Sequence, residues 1–241
     1  MENQVNVVWS DQVATLILKT TEVINKLNSQ SIEELIIAVK KVVAEGAKVI
    51  VIEGQEDFFC GGGSIGNFLS LSSVQINDFG ILLQDMIYTL KTLPIPVIAA
   101  VKGHAFGGGL SLVEACDIVV CSHDSEFAIP EIKGGFCPAI ALVSVYTAFG
   151  NGIAKQMAMT GEPMTAQRAQ DLGLVTYSVE KELVDKTVQN EVNKILQGNS
   201  TAYRVTKEIT FKLSEGNLRN AYTIATGKLV EFLASKEAGK V

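Results

Sequence analysis

Two glycine clusters and one glutamate are the residues best placed to do chemistry. Cys60-Gly61-Gly62-Gly63 and Gly107-Gly108-Gly109 each follow a run of apolar residues and precede a helical pattern. Glycine at such a point allows backbone conformations closed to other residues and lets a ligand approach the amides closely. A helix N-terminus adds unpaired N–H groups and a positive dipole end. Two such loops facing one another could aim two amides at one oxygen, an oxyanion hole that stabilises charge on a carbonyl. A single GGG run is more often only a tight turn. Phosphate binding is weaker still: neither cluster fits GxxxxGK[ST], and Gly103-His-Ala-Phe-Gly107 is not GxGxxG.

Glu131 follows Pro130 in an apolar neighbourhood of Phe127, Ile129 and Ile132. Such surroundings raise a carboxylate's proton affinity towards the range useful for acid–base work. Ser111, two residues after the second cluster, lacks a visible base and so is no nucleophile; it could position a water or a substrate group. His104 lies four residues before Gly108, and a lone histidine is more often structural than catalytic. With only His104 and His123, no three-histidine zinc site can form, no HExxH occurs, and no metal is expected. Cys60, Cys116, Cys121 and Cys137 contain no CxxC and suit free thiols in a reducing compartment; Cys60 and Cys137 flank the site as packing residues.

These groups need a scaffold. The chain has 241 residues, 47% apolar and 19% charged, with net charge −6. That composition excludes intrinsic disorder and argues against a basic nucleic-acid-binding face. Lys102 interrupts the longest apolar stretch, Ile95 to Phe106, so no membrane span is expected and the location is taken as cytoplasmic. Strands are expected at Val5–Val8, Val13–Leu18, Lys48–Glu53, Val97–Val101, Ile118–Cys121 and Val175–Ser178. Helices are expected at Ser31–Ala44, Asn77–Leu93, Gly107–Glu114, Gly152–Thr160, Thr165–Leu172, Lys181–Gln197, Ala202–Leu213 and Leu218–Ser235. Alternating, fully apolar strands imply an α/β fold with a parallel sheet covered by helices. Residues 1–190 are expected to form the core and 191–241 a helical C-terminal oligomerisation region of the same folded unit.

Several stretches resemble one family. Ile95 to Asp117 (IPVIAAVKGHAFGGGLSLVEACD) and Phe127 to Pro138 (FAIPEIKGGFCP) are similar to signature segments of the enoyl-CoA hydratase/isomerase, or crotonase, superfamily. Phe58-Phe-Cys-Gly-Gly-Gly-Ser-Ile65 stands where that family has F-x-x-G-A-D, Asn25-Lys-Leu27 resembles its NAL motif, and Gly161 to Val175 its G-x-x-x-x-A-x-x-A-x-x-x-G-L-V stretch. The resemblance implies a crotonase-type (ClpP/crotonase-like) spiral of ββα units. It implies oxyanion-hole amides on Gly63 and Gly108, with Cys60, Gly62, Ser64, Gly107, Ser111, Lys133 and Pro138 around the substrate. The substrate would be an acyl thioester of coenzyme A or of an acyl carrier protein. No cofactor is implied beyond the coenzyme A or phosphopantetheine that this substrate carries.

Hydratases of the family commonly use two glutamates, one at the position of Ser111 and one matching Glu131. Here only Glu131 is present, which implies a lyase that hydrates or dehydrates an α,β-unsaturated or β-hydroxy acyl thioester through one carboxylate, or an enoyl isomerase. The Gly-His-x-x-Gly-Gly-Gly pattern, His104 and Lys133 resemble decarboxylating members of polyketide β-branching systems, which act on 3-methylglutaconyl-type thioesters but lack a glutamate at position 131. Their dehydrating partners keep that glutamate and carry a small residue where Ser111 stands. A non-enzymatic scaffold in a multi-enzyme assembly is the third possibility. The resemblance further implies a homotrimer or hexamer. Ser235-Lys-Glu-Ala-Gly239 resembles the family's S-x-D-x-x-E-G element without the usual F-L-x-K-R end, which suits a carrier-protein partner.

Overall fold

Alternation in the first thirty residues builds a hairpin and then a helix. In a computed structural model that describes residues 3–21, 24–64 and 72–214, β1 (Val5–Ser10) and β2 (Val13–Leu18) pair antiparallel across a turn at Asp11. Asp11 adopts φ 50°, a left-handed conformation that aspartate tolerates better than most residues. On β2, Ala14, Leu16 and Leu18 point to the core with period two. Helix α1 (Ser29–Ala44) begins at an Asn28/Ser31 capping box and buries Ile32, Leu35, Val39 and Val42 at helical spacing.

Three repeated units follow. Strand β3 (Val49–Glu53), strand β4 (Phe58–Cys60) and helix α2 (Ser73–Thr92) make the first. Strand β5 (Val97–Val101), strand β6 (His104–Phe106) and helix α3 (Gly108–Glu114) make the second. The third is β7 (Ile118–Ser122), β8 (Glu126–Ala128), a 3-10 turn at Pro130–Gly134 and helix α4 (Ala139–Thr160). The chain continues through β9 (Met164–Thr165), α5 (Ala166–Asp171), β10 (Tyr177–Val179), a 3-10 turn at Lys181–Leu183, α6 (Val184–Leu196) and α7 (Ser200–Ser214).

In each unit the first strand joins one sheet and the second strand another. The larger sheet has the order β1-β2-β3-β5-β7-β10, parallel from β2 onward; the smaller has the order β4-β6-β8-β9, with only β9 antiparallel. The result is the α/β spiral of ββα turns that the resemblance implies. The interior lies between the two sheets and helices α1 to α5. A second apolar layer packs Val184, Val188, Val192 and Ile195 of α6 on the outer face of β3, β5 and β7, so those strands are buried on both sides and contain almost no polar residue.

The four strands of the smaller sheet are additions to the sequence expectation. They span two or three residues each, too short to show a period of two. Helix α2 starts at Ser73, not Asn77, because Ser72 and Gln75 form a capping box. Helix α4 starts at Ala139, well before Gly152, and breaks at Gly150, whose φ of 73° interrupts the helical pattern. The expected boundary at residue 190 falls inside α6. The expected helix Leu218–Ser235, and with it most of the C-terminal region, lies outside the described residues. Helix α7 is anchored by the buried Lys207, whose Nζ donates to Asp117 Oδ2 at 2.6 Å, Ile95 O at 3.1 Å and Leu90 O at 3.2 Å.

Candidate active site

The first glycine loop is held by the Asn25-Lys-Leu segment. Asn25 is fully buried at φ 52° and spans three chain segments. Its Oδ1 accepts from Thr20 N at 2.8 Å, while Nδ2 donates to Leu18 O at 2.9 Å and Phe59 O at 2.7 Å. Two residues on, Leu27 N donates to Gly62 O at 2.7 Å and Leu27 O accepts from Ser64 N at 3.2 Å. Those bonds bracket Gly63. Because alternate peptide groups of an extended segment face opposite ways, the Gly63 N–H points away from Leu27.

The second loop meets the first at van der Waals distance. Gly62 has φ 83°, and a Cβ on it would lie 2.7 Å from Phe106 O and 3.1 Å from Gly108 N. Gly107, at φ 52°, donates its N–H to Ala128 O at 2.8 Å, which ties the loop to the end of β8. Gly108 then opens α3, where N–H groups have no acceptor within the helix. A Cβ on Gly109 would lie 2.1 Å from Cys60 O, so only glycine lets α3 rest directly on the first loop.

Glu131 completes the group. The turn after Pro130 carries its carboxylate to Gly107, where a Cβ would stand only 2.7 Å from Glu131 Oε1. Glu131 Oε2 is buried and has no hydrogen-bond partner among the described residues. Burial pushes this carboxyl above the ordinary glutamate range, with its own backbone N–H opposing the shift in part.

Beside Glu131 lies a cavity of about 260 Å³. Gly61, Gly62, Gly63, Gly107, Gly108, Pro130 and Glu131 form its polar wall, and Pro138 and Cys137 also line it. Its apolar wall comes from Ile76, Phe79, Gly80 and Leu83 of α2 with Phe136, Ala139, Ile140 and Ala141. Sequence reasoning missed this wall. The only signal was the apolar stripe of α2, which reads equally as core packing.

Other expected site residues lie elsewhere. Ser111 is fully buried within α3 and does not reach the cavity; its Oγ has no hydrogen-bond partner among the described residues. His104 opens onto a different recess, beside Glu56, Asp57, Lys102, Asp124 and Lys181. Its ring stacks on Phe106 and meets Phe58 edge-on, and its Nδ1 accepts from Glu126 N at 3.2 Å. Lys133 is half-exposed and pairs with Glu162 at 2.9 Å. Ser64 and Cys60 do not line the cavity; burial pushes the Cys60 thiol up to about 12, a packing thiol. Among the described residues, no group of three or more His, Cys, Asp or Glu could hold a metal ion, and no helix is long and apolar enough to cross a membrane.

Two glycine loops and a Pro-Glu turn, delivered to one cavity by successive ββα turns, define the crotonase class. The chain belongs to the enoyl-CoA hydratase/isomerase family, which it matches over residues 9–240. It is 30% identical over 200 residues to the short-chain-enoyl-CoA hydratase of Clostridium acetobutylicum, covering 82% of this chain and 77% of that protein. Identity and coverage are the same for the crotonyl-CoA hydratase of Syntrophomonas wolfei. Among solved structures, an enoyl-CoA hydratase of Mycobacterium smegmatis superposes with a TM-score of 0.90 at 26% identity, covering 95% of this chain and 90% of that one. Human enoyl coenzyme A hydratase domain-containing protein 3 gives 0.87 at 25% identity, covering 96% and 92%.

Proposed function

We propose that the chain is an enoyl-CoA hydratase-type lyase that adds water to an α,β-unsaturated acyl thioester, or removes it from a β-hydroxy acyl thioester, with Glu131 as its single acid–base group. The observation that carries this reading is the half-buried Glu131 carboxylate, its Oε2 without a hydrogen-bond partner among the described residues, set against Gly107 in the wall formed by the two glycine loops. In the elimination direction Glu131 takes the α-proton, and the electron pair moves onto the thioester carbonyl. The Gly63 and Gly108 N–H groups hold the resulting oxyanion; one such donor contributes roughly 3 kcal/mol. The enolate then re-forms its carbonyl and expels the β-hydroxyl, which leaves as water with the proton that Glu131 returns. Hydration is the reverse path.

The substrate arrives on coenzyme A or on an acyl carrier protein, and its pantetheine arm is the only carrier group required. Decarboxylation is the less supported reading, since His104 and Lys133 lie away from the cavity and Glu131 would face the departing carboxylate. A cytoplasmic location fits the four free cysteines. A homotrimer or hexamer would cover Val143, Tyr146 and Met159, which α4 leaves exposed. The test is mass spectrometry after incubation with crotonyl, 3-hydroxybutyryl and 3-methylglutaconyl thioesters on both carriers. Gain or loss of one water, abolished in Glu131→Gln, is expected. Loss of carbon dioxide, or a double-bond shift without a mass change, would replace the hydratase assignment.

A further inference from the structure

Helix α2 lies along the cavity as a ruler. Ile76, Phe79, Gly80 and Leu83 share one face at spacings of three and four residues and all line the cavity. Leu83 marks the reacting end: a Cβ on Gly108 would lie 3.5 Å from Leu83 Cδ2. Gly80 stands one turn nearer the N-terminus, about 4.5 Å along the axis at 1.5 Å per residue, and Ile76 about 10.5 Å away. At Gly80 the opposite wall closes in, since a Cβ there would touch Ile140 Cδ1 at 3.4 Å. An extended chain advances about 1.2 Å per bond, judged from the polypeptide backbone, so 4.5 Å holds about four bonds. Glu131 and Cys137 are the only ionisable side chains on the cavity wall among the described residues, and neither is a cation.

We propose that the narrowing where Ile140 faces Gly80 limits the length of acyl chain the cavity accepts, and that the cavity selects short, uncharged acyl groups. This rests on the cavity being the acyl-thioester site. Gly80 contributes the space that a side chain would fill, and the Ile140 methyl narrows the cavity opposite it. A carboxylate at the far end of the acyl group would meet apolar walls, with no cationic side chain among the described lining residues.

Calorimetric binding of saturated, unreactive acyl thioesters of four, six, eight and twelve carbons, with a glutaryl thioester alongside, tests this without turnover. In the wild type, affinity should rise about fourfold per added methylene until the pinch is reached, and stop rising by eight carbons. Ile140→Ala should move the plateau out by at least two carbons. Gly80→Leu should weaken six-carbon binding more than tenfold while affecting four-carbon binding least. Leucine favours a helix over glycine, so this variant should unfold no earlier than wild type. The glutaryl thioester should bind more weakly than its uncharged counterpart. Affinity that climbs steadily through twelve carbons, or an unchanged profile in both variants, overturns the proposal while leaving the hydratase reading intact. Binding that follows the expected profile without turnover on unsaturated thioesters supports it and removes the hydratase reading. No binding of any thioester removes both.

Discussion

Gly62→Ala should separate the role of loop contact from ordinary backbone strain. Gly62 sits at φ 83°, where an L-residue costs roughly 1–2 kcal/mol. The added methyl also meets Phe106 O at 2.7 Å and Gly108 N at 3.1 Å, and both are backbone atoms that cannot swing aside. The loops must part by several tenths of an ångström, which moves the Gly63 and Gly108 amides off a common target. Losing one oxyanion donor costs roughly 3 kcal/mol, about a hundredfold or more in kcat. Gly46→Ala is the control, because Gly46 has φ 99° but nothing within 4 Å of its Cβ position. Both variants should lower the midpoint of thermal unfolding, at about 2–4 °C per kcal/mol for a chain of this size. Only Gly62→Ala should lose turnover by about a hundredfold on an enoyl thioester. A folded Gly62→Ala protein with wild-type kcat would refute the claim that the two loops form one oxyanion site.

Three further outcomes follow from the geometry. Burial keeps Glu131 protonated to higher pH in the folded chain than in the unfolded one, so its contribution to stability is complete at low pH and fades as pH rises through the folded value. Glu131→Gln should therefore gain stability relative to wild type as pH rises above the ordinary glutamate range, and a constant difference across a denaturant–pH series would contradict the burial argument. His104→Asn should keep hydratase turnover within about threefold of wild type, because the ring faces a separate recess; a loss of a hundredfold would return His104 to the site. Lys207→Met should destabilise the fold by about 3–5 kcal/mol in denaturant unfolding, since it leaves Asp117 and two backbone carbonyls without their shared donor.

The larger sheet and the two glycine loops that line the cavity were legible in the sequence for one physical reason: both depend on local pattern. Apolar runs such as Val97–Val101, short and rich in β-branched residues, favour strands buried on two faces, and glycine clusters after them mark close backbone approach. The smaller sheet was not legible, because strands such as His104–Phe106 take their pairing from neighbours distant in sequence. The same holds for side-chain direction. His104 and Gly108 are four residues apart, yet one faces a charged recess and the other the cavity. Asn25 was visible only as part of a motif, and its buried bonds to Leu18, Thr20 and Phe59 show why a short amide at positive φ is needed there. The apolar wall from α2 and the start of α4 needed the three-dimensional arrangement, since Gly80 and Ile140, 60 residues apart in the chain, line one cavity.

The central claim is that Glu131 moves the α-proton of a thioester whose oxyanion rests on Gly63 and Gly108. Exchange of the α-hydrogens of a 3-hydroxyacyl thioester with deuterated water, followed by mass spectrometry, measures that step directly. The wild type should incorporate deuterium at a rate that rises with pH through a value above the ordinary glutamate range, and Glu131→Gln should incorporate none above the uncatalysed background. Wild-type exchange in a folded Glu131→Gln protein would contradict the account.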